Sequence, residues 1–425
     1  MYRSLHINYT NTRTELCKIG AKYDTDKSSQ RDDANAVRHC HPYTCFYHSL
    51  FRHHRNTLSP LRICELGILH GASLKMWREY FTNVSIYGFE YNTDFIREFQ
   101  ESEFDNVPTH IRDLLSPVHL ETVDVTNRSS ISAQFAKVGV TYDLIIEDTT
   151  HQMPDQINVI HEVIPYLNPG GMLIIEDIFL RYNEADYKRL LADIEHEFQD
   201  IYFVTLDHKN RISEGWNNDK LLILVKKGAP PIFRNKKRLT IITPSIRPEN
   251  IPKLYQSINF KYVDKWHIVY DGTKIAENPL VYGSNHPQIH EHIYTGIGNT
   301  GNPQRNYILD LLEGESCNTF IYFLDDDNLI HPHLYHLIDI ADDKRIYTFD
   351  RIQPNGFIIY GQNPVANQVD TAQFLADYSL ISNIRWIPHL YNADGIYIEL
   401  CCYLNTDKHI YVRNPLAYYN SLVPK

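Results

Sequence analysis

From about residue 60 to residue 227, short β-rich runs alternate with helical stretches, and this rhythm leaves few folds open. Runs at Arg62–Ile68, Ser85–Tyr91, Tyr142–Asp148 and Met172–Asp177 read as strands. Helical patterns lie between them, notably Pro154–Tyr166 and Glu184–Phe198. Strand–helix alternation of this kind predicts a parallel sheet covered on both faces. Ile201–Asp207 and Lys220–Lys226 are joined by a polar loop without a helix, which predicts a terminal hairpin. The pattern breaks at 226–238, where glycine, two prolines and a basic cluster read as an exposed linker. A second α/β rhythm starts at Leu239–Ser245 and continues through Trp266–Asp271 and Thr319–Asp325. The 425 residues therefore divide into a Rossmann-like α/β domain at 1–228, a linker at 229–237 and a second α/β domain at 238–425.

Composition narrows the classes of function. Hydrophobic residues make up 43% and charged residues 22%, which is globular. The net charge of −11 argues against nucleic acid as a partner and suits sites that gather carboxylates around cations. No apolar run approaches the ~20 residues of a membrane span. The opening residues lack the apolar core of a signal peptide, so a cytoplasmic protein is expected. Seven cysteines without a CxxC pair point to reduced thiols. His39, Cys40, His41, Cys45 and His48 are crowded enough to raise zinc. A structural zinc site needs two separated ligand pairs, and no second pair follows, so a helix carrying polar residues is the better reading.

The first candidate site begins at Glu65-Leu-Gly67-Ile-Leu-His-Gly71, between an apolar strand and a helical run starting at Ser73. Gly67 and Gly71 allow a tight turn and close backbone approach by a ligand at the strand's carboxyl end. The next strand ends at Glu90, where a doubly wound sheet reaches ribose hydroxyls; Asp124 is placed to hold an adenine amino group. Two later strands, Leu-Ile-Ile-Glu-Asp148 and Leu-Ile-Ile-Glu176-Asp177, end in acids at the same predicted edge. Such a cluster is costly unless a cation or partner neutralises it. His151, three residues after Asp148, is a candidate general base beside that cation; the structural alternative is that Asp148 and Asp177 cap helices.

Residues 20–227 resemble the magnesium-dependent class I methyltransferases that modify sugars of macrolides and related natural products. The likeness is carried by Thr25-Asp26-Lys27, His41-x-Tyr43 with Tyr47, ELGILHGASLKMWREYF, EDTTH and NPGGMLIIED. It implies S-adenosylmethionine as cofactor, bound by Glu65, Gly67, Gly71, Ser73, Glu90 and Asp124. It also implies magnesium on Asp148, Glu176 and Asp177, with His151 removing the proton from a sugar hydroxyl. The chain departs from the usual Asp-Asp-Gly-Ser-His pattern in reading Glu147-Asp148-Thr-Thr-His151. Loss of that glycine changes the loop's freedom.

The second candidate site centres on Asp325-Asp326-Asp327, delivered by the strand Ile-Tyr-Phe-Leu. Three consecutive acids there need compensation, which Mn²⁺ or Mg²⁺ shared with a diphosphate would supply. The domain opens with Thr243-Pro-Ser245-Ile-Arg247, a strand runs into Asp271-Gly272, and Gly301-Asn-Pro-Gln-Arg305 precedes a helical run. Together these resemble GT-A glycosyltransferases of the glucuronyltransferase-like group, over about residues 239–400. By that likeness Thr243, Arg247, Asp271, Arg305, Asp325 and Asp326 contact a nucleotide sugar and Asp327 holds the metal. An inverting enzyme needs a carboxylate base; Asp394 is chosen over Asp370 and Glu399, with an ordinary Asp-Gly turn as the plain alternative.

The sequence thus points to a bifunctional enzyme that methylates a sugar hydroxyl and transfers a sugar to a glycan or glycoconjugate acceptor. Two rivals stand beside it: a glycosyltransferase with a degenerate first domain, and a non-catalytic scaffold that binds nucleotides or glycans.

Overall fold

Apolar runs set the strands. The computed structural model describes residues 2–10, 12–28, 40–102, 118–207, 217–233, 238–275, 280–282, 286–313 and 319–423. His39 and the linker residues 234–237 lie outside them. The chain forms two compact units, one of Met1–Ser4 with Arg13–Arg234 and one of Leu5–Thr12 with Asn235–Lys425. The first strand, β1 (Tyr2–Asn8), is therefore shared between the two units.

In the first unit the strands are β2 (Leu61–Leu66), β3 (Val84–Glu90), β4 (His119–Thr122), β5 (Tyr142–Glu147), β6 (Leu167–Ile175), β7 (Phe198–Asp207) and β8 (Lys220–Lys226). β2 pairs in parallel with β3 and β5, β3 with β4, and β5 with β6. β8 runs antiparallel between β6 and β7, the predicted terminal hairpin. The order is therefore β4-β3-β2-β5-β6-β8-β7, a doubly wound sheet. Connections leave β2 in one direction and β5 in the other, so a crevice opens at the carboxyl ends of these two strands. Ile63, Leu144, Ile146 and Ile174 are fully buried, as expected of strands covered on both faces.

Two helices depart from the sequence expectation. The first spans Met153–Val163, and Ile164–Tyr166 tighten into a 3-10 turn. Pro165 lies in that turn and has no N–H to continue the α-helical ladder. The run expected as one helix over 184–198 is α-helical at Glu184–Leu190 and a 3-10 turn at Glu195–Glu197, and β7 begins at Phe198, where the backbone pairs with Lys226. The expected linker is also not fully exposed. Ile232 donates its amide to the Gly170 carbonyl at 2.8 Å, and Phe233 is buried edge-on against Phe51.

The second unit contains β9 (Arg238–Ser245), β10 (Val263–Asp271), β11 (Ile289–Tyr294), β12 (Thr319–Phe323), β13 (Leu329–Ile330), β14 (Ile346–Ile352), β15 (Ile358–Ile359), β16 (Phe374–Asp377) and β17 (His409–Tyr418). β11, β10, β9 and β12 form a parallel array in that order. β16 is inserted antiparallel between β12 and β14, and β14 pairs in parallel with β17. Ile7 and Asn8 of β1 pair antiparallel with Val412 and Tyr411 of β17. That pairing places Leu5–Thr12 with the second unit, outside the boundary drawn at 1–228. The strand order reverses at β9 and β12, so this sheet too has its crevice at two carboxyl ends. Among the described residues no helix is long and apolar enough to cross a membrane.

Candidate active sites

The turn after β2 is built around a close backbone approach. Gly67 has φ +83°, and a Cβ there would lie 1.9 Å from the Asp148 carbonyl oxygen. Gly71, at φ +75°, begins the helix Ala72–Tyr80, and its Cβ would strike the Phe99 ring at 1.9 Å. Both positions need glycine for conformation and for space. Glu65 ties the two ends of this loop together: its carboxylate accepts from the Ser73 hydroxyl at 2.7 Å and the Trp77 indole at 2.9 Å. Glu90 accepts from the amides of Ile68 and Leu69 on one oxygen and Tyr91 and Asn92 on the other. Four amide donors match the lone-pair capacity of a carboxylate. In this state Glu90 shapes the loop, and a ribose hydroxyl would have to displace one of those amides. Asp124 accepts from the amide and hydroxyl of Thr126.

These residues border a cavity of about 1130 Å³ that also reaches Thr25, Asp148 and His151. Its volume stands just above the ~300–1,000 Å³ of a small-ligand site. Asp148 and His151 of its wall, with Asp177 beside them, offer ligand atoms that all lie within 4.8 Å of one another. His151 Nδ1 is 3.8 Å from Asp148 and Nε2 is 3.6 Å from Asp177. His151 and Asp177 both hold left-handed backbone, at φ 57° and 55°, a strain of about 1–3 kcal/mol each that surrounding contacts must sustain. Two carboxylates and an imidazole at this spacing fit a divalent cation.

Glu176 does not join them. Its carboxylate is bound by Lys27 Nζ at 2.5 Å and the Tyr47 hydroxyl at 2.5 Å. β6 ends at Ile175, and the left-handed turn at Asp177 sends Glu176 and Asp177 to different partners. Lys27 also pairs with Asp148 Oδ2 and lies 3.4 Å from Glu65. Burial alone would lower the lysine's pKa, but Asp148, Glu176 and Glu65 hold it well above its ordinary value. On the far side of the cluster the Tyr43 hydroxyl donates to Asp177 at 2.5 Å. His41 sits between Asp219 at 2.9 Å and Asp177 at 3.4 Å. Burial opposes its protonation, yet the two aspartates raise it to about 9, so it is a cation at neutral pH. His41 thus serves the acids, and Cys45 faces Cys17 Sγ at 3.3 Å rather than a metal. Lys27, Tyr43 and Tyr47 stood in the sequence only as members of a likeness. Asp219 carried no signal, since it ends a polar loop far from its partner.

The second unit's acids divide in the same way. Asp325 pairs with Arg305 on one oxygen and accepts from the Thr371 hydroxyl at 2.8 Å on the other. Asp326 is buried, with Oδ1 3.1 Å from the Arg247 guanidinium. It accepts from the Ser245 hydroxyl and the amides of Ile246 and Arg247, fixing the turn after β9. Asp327 meets the Arg247 guanidinium at 2.8 Å, and burial together with Asp325 pushes its carboxyl up to about 6. The three acids therefore do not converge as a ligand set. Thr243, expected at the nucleotide, is fully buried in β9 and accepts from the Trp266 indole at 2.9 Å. Asp271 at the end of β10 accepts from Thr273 and pairs with Lys274 at 3.2 Å.

Asp394 is not in a turn. It lies in the first turn of the helix Ala393–Leu404, and Gly395 admits close backbone approach, since its Cβ would lie 2.8 Å from Ala366 Cα. Arg305 is 3.7 Å away, and Asp394 Oδ1 is buried without a hydrogen-bond partner. Burial, opposed by Arg305 and reinforced by Asp325 and Asp370, pushes this carboxyl up to about 7. Of the alternatives, Asp370 pairs with Arg351 at 3.2 Å, and Glu399 is exposed and accepts from the Ala366 amide.

No protein-family model matches the chain. Its curated relatives include demethylmacrocin O-methyltransferase of Streptomyces fradiae, 25% identical over 180 residues, covering 41% of this chain and 38% of that protein. Another is 8-demethyl-8-(2-methoxy-alpha-L-rhamnosyl)-tetracenomycin-C 3'-O-methyltransferase of Streptomyces olivaceus, 27% identical over 165 residues, covering 35% and 36%. The chain spans less than two fifths of the length of these relatives, and the similarity falls in the N-terminal half. Among solved structures, MycE methyltransferase in complex with Mg and SAH is 19% identical with a TM-score of 0.35, over 52% of this chain and 57% of that one.

Proposed function

We propose that the first unit is an S-adenosylmethionine-dependent O-methyltransferase that acts on a sugar hydroxyl with the aid of a divalent cation. One observation carries this reading: a single cavity at the sheet's reversal point joins the loop after β2, from Gly67 to Ser73, to Asp148 and His151, whose ligand atoms lie within 4.8 Å of those of Asp177. O-methyltransferases among the relatives of the N-terminal half support it. When bound, the cofactor supplies a methyl group on a sulfonium and the cation supplies a Lewis acid. Glu65 and Glu90 hold the loop that receives the cofactor, and Asp124 borders the same cavity. Asp148 and Asp177 would hold the cation. His151 reaches the cavity and accepts the proton of the acceptor hydroxyl as its oxygen is methylated.

Mass spectrometry of reactions with methyl-labelled cofactor and a panel of deoxysugar and rhamnosyl glycosides tests this reading. One methyl is gained per acceptor, and the gain disappears in chelator. Methyl transfer to no acceptor, together with no binding of S-adenosylhomocysteine, would overturn it.

A second reading, for the second unit, rests on Asp394. A buried carboxyl lacking a hydrogen-bond partner on Oδ1, raised to about 7 and 3.7 Å from a buried arginine, has the character of a general base poised near neutrality. We propose that this unit transfers a sugar from a nucleotide-sugar donor to a glycan, with inversion. Arg247 and Arg305 would face the diphosphate, Asp327 would hold manganese or magnesium, and Asp394 would deprotonate the acceptor. NMR of the product's anomeric proton with a panel of nucleotide sugars tests it; retention of configuration would overturn the assignment of Asp394.

A further inference from the structure

We infer that Lys27 is a positioning residue of the metal centre, and that it, rather than the divalent cation, is the partner of Glu176. The inference rests on the methyltransferase reading of the first unit. Its basis is how the acids at the ends of β5 and β6 are shared. The Lys27 side chain is 2% exposed, and its ammonium touches Asp148 Oδ2, Glu176 Oε2 and Glu65 Oε1. An ammonium has three donors, and three carboxylates stand around it. Glu176 has its other oxygen closed by Tyr47, and that hydroxyl belongs to the helix Tyr43–Phe51, which also carries Tyr43 onto Asp177.

Two consequences follow from the arrangement. The acid pair Glu176-Asp177 is split just past the end of β6, where Asp177 takes a left-handed φ of 55°, so one member faces Lys27 and the other faces His151. Asp148 is gripped by Lys27 through Oδ2, which leaves Oδ1, the oxygen facing His151 at 3.8 Å, toward the cation. The cation set is then Asp148 Oδ1 and Asp177, completed by water, with His151 kept for the acceptor's proton. Glu176 balances a fixed internal charge that stays in place whether or not the metal is bound. A buried carboxylate is costly to leave unpaired, and Lys27 Nζ and the Tyr47 hydroxyl give each oxygen of Glu176 a partner.

Manganese binding, read from the free Mn(II) signal by electron paramagnetic resonance, separates this arrangement from one in which Glu176 ligates. The full-length chain and its variants are titrated with Mn²⁺ alone, with no substrate present. In an Asp327→Ala background, which removes the cation proposed for the second unit, the chain binds one Mn²⁺, and adding Asp177→Asn loses that binding by more than about a hundredfold. Glu176→Gln, which keeps size and an acceptor, stays within about threefold of that background. Lys27→Met frees Glu176 and Asp148 Oδ2 for the cation and binds Mn²⁺ about tenfold more tightly, while Lys27→Arg restores the background value. These fold-changes correspond to about 1.4 kcal/mol per factor of ten. If Glu176→Gln weakens Mn²⁺ as severely as Asp177→Asn, Glu176 is a ligand and the inference is overturned while the methyltransferase reading stands. If Lys27→Met does not fold, the Glu176→Gln comparison still decides. An Asp327→Ala chain that binds no Mn²⁺ would overturn the cation site itself, and the inference with it.

Discussion

Gly67 and Asp148 meet so closely across the ends of β2 and β5 that a single added methyl would stand 1.9 Å from the aspartate's carbonyl oxygen. The loop that would receive the cofactor and the acid that would hold the cation are therefore one mechanical unit. Movement at either strand end displaces both.

Gly67→Ala is expected to damage the first unit's ligand site on two counts. A positive φ costs a non-glycine residue about 1–3 kcal/mol, and the clash with backbone has no flexible side chain to relieve it. Binding of S-adenosylhomocysteine, measured by calorimetry, should fall by more than about tenfold. Unchanged affinity would show that the loop is not where the cofactor sits.

His151→Ala separates chemistry from binding. Removing a general base lowers turnover by roughly 10²–10⁴-fold. The Glu65, Glu90 and glycine contacts that shape the cofactor loop do not involve this residue. Single-turnover methyl transfer should collapse while S-adenosylhomocysteine affinity stays near native. A matching loss of both would assign His151 to cofactor binding.

The strand acids explain how much of this was readable in advance. Apolar runs that end in acids gave the sheet edge, and the glycines gave the loop, because both signals are local. Which acid goes where is not local. Lys27 and Asp148 are 121 positions apart, and Tyr43 and Asp177 are 134 apart. Treating Glu176 and Asp177 as one ligand pair, or Asp325 to Asp327 as one trio, took sequence neighbours for spatial partners, whereas β6 ends at Ile175 and β12 at Phe323, and the irregular backbone beyond them sets each acid's direction. Asp177 turns from Glu176 through a left-handed φ of 55°, and Asp326 and Asp327 meet at the Arg247 guanidinium while Asp325 goes to Arg305. Thr243 was misplaced for a related reason, since its hydroxyl is consumed inside the sheet by Trp266.

Asp394 gives a pH test with a definite sign. Its folded value of about 7 stands above the value near 4 of an unfolded aspartate. Below about pH 4 both states hold the proton, and the group is neutral to stability. Between about pH 4 and 7 the unfolded chain loses the proton first, so stability falls, and the cost is constant above that range. Asp394→Asn should therefore raise the melting temperature of the second unit at about pH 8 and not at about pH 4. The same variant should abolish sugar transfer, whose rate in the native chain climbs as pH rises through about 7. A melting temperature that Asp394→Asn leaves unchanged at both pH values would remove the buried carboxyl from consideration.

Dividing the chain tests the shared first strand. A fragment covering 235–425 lacks Leu5–Thr12 and leaves the β17 residues Tyr411 and Val412 without their antiparallel neighbours. An open strand edge invites association, so this fragment should aggregate, and a peptide of residues 1–12 added in trans should restore a monomer by gel filtration. A monomeric, stable fragment without the peptide would show the pairing to be dispensable.

That strand also sets a timetable. His6 accepts its place beside Asn414 across 408 positions, its amide bonded to the asparagine side chain at 2.7 Å. At ribosomal speeds of about 5–20 residues per second, the first of these two residues waits about 20–80 seconds for the second to be made. Through that interval the earliest-made segment of the chain must remain available, while the whole of the first unit's sheet can already have formed behind it.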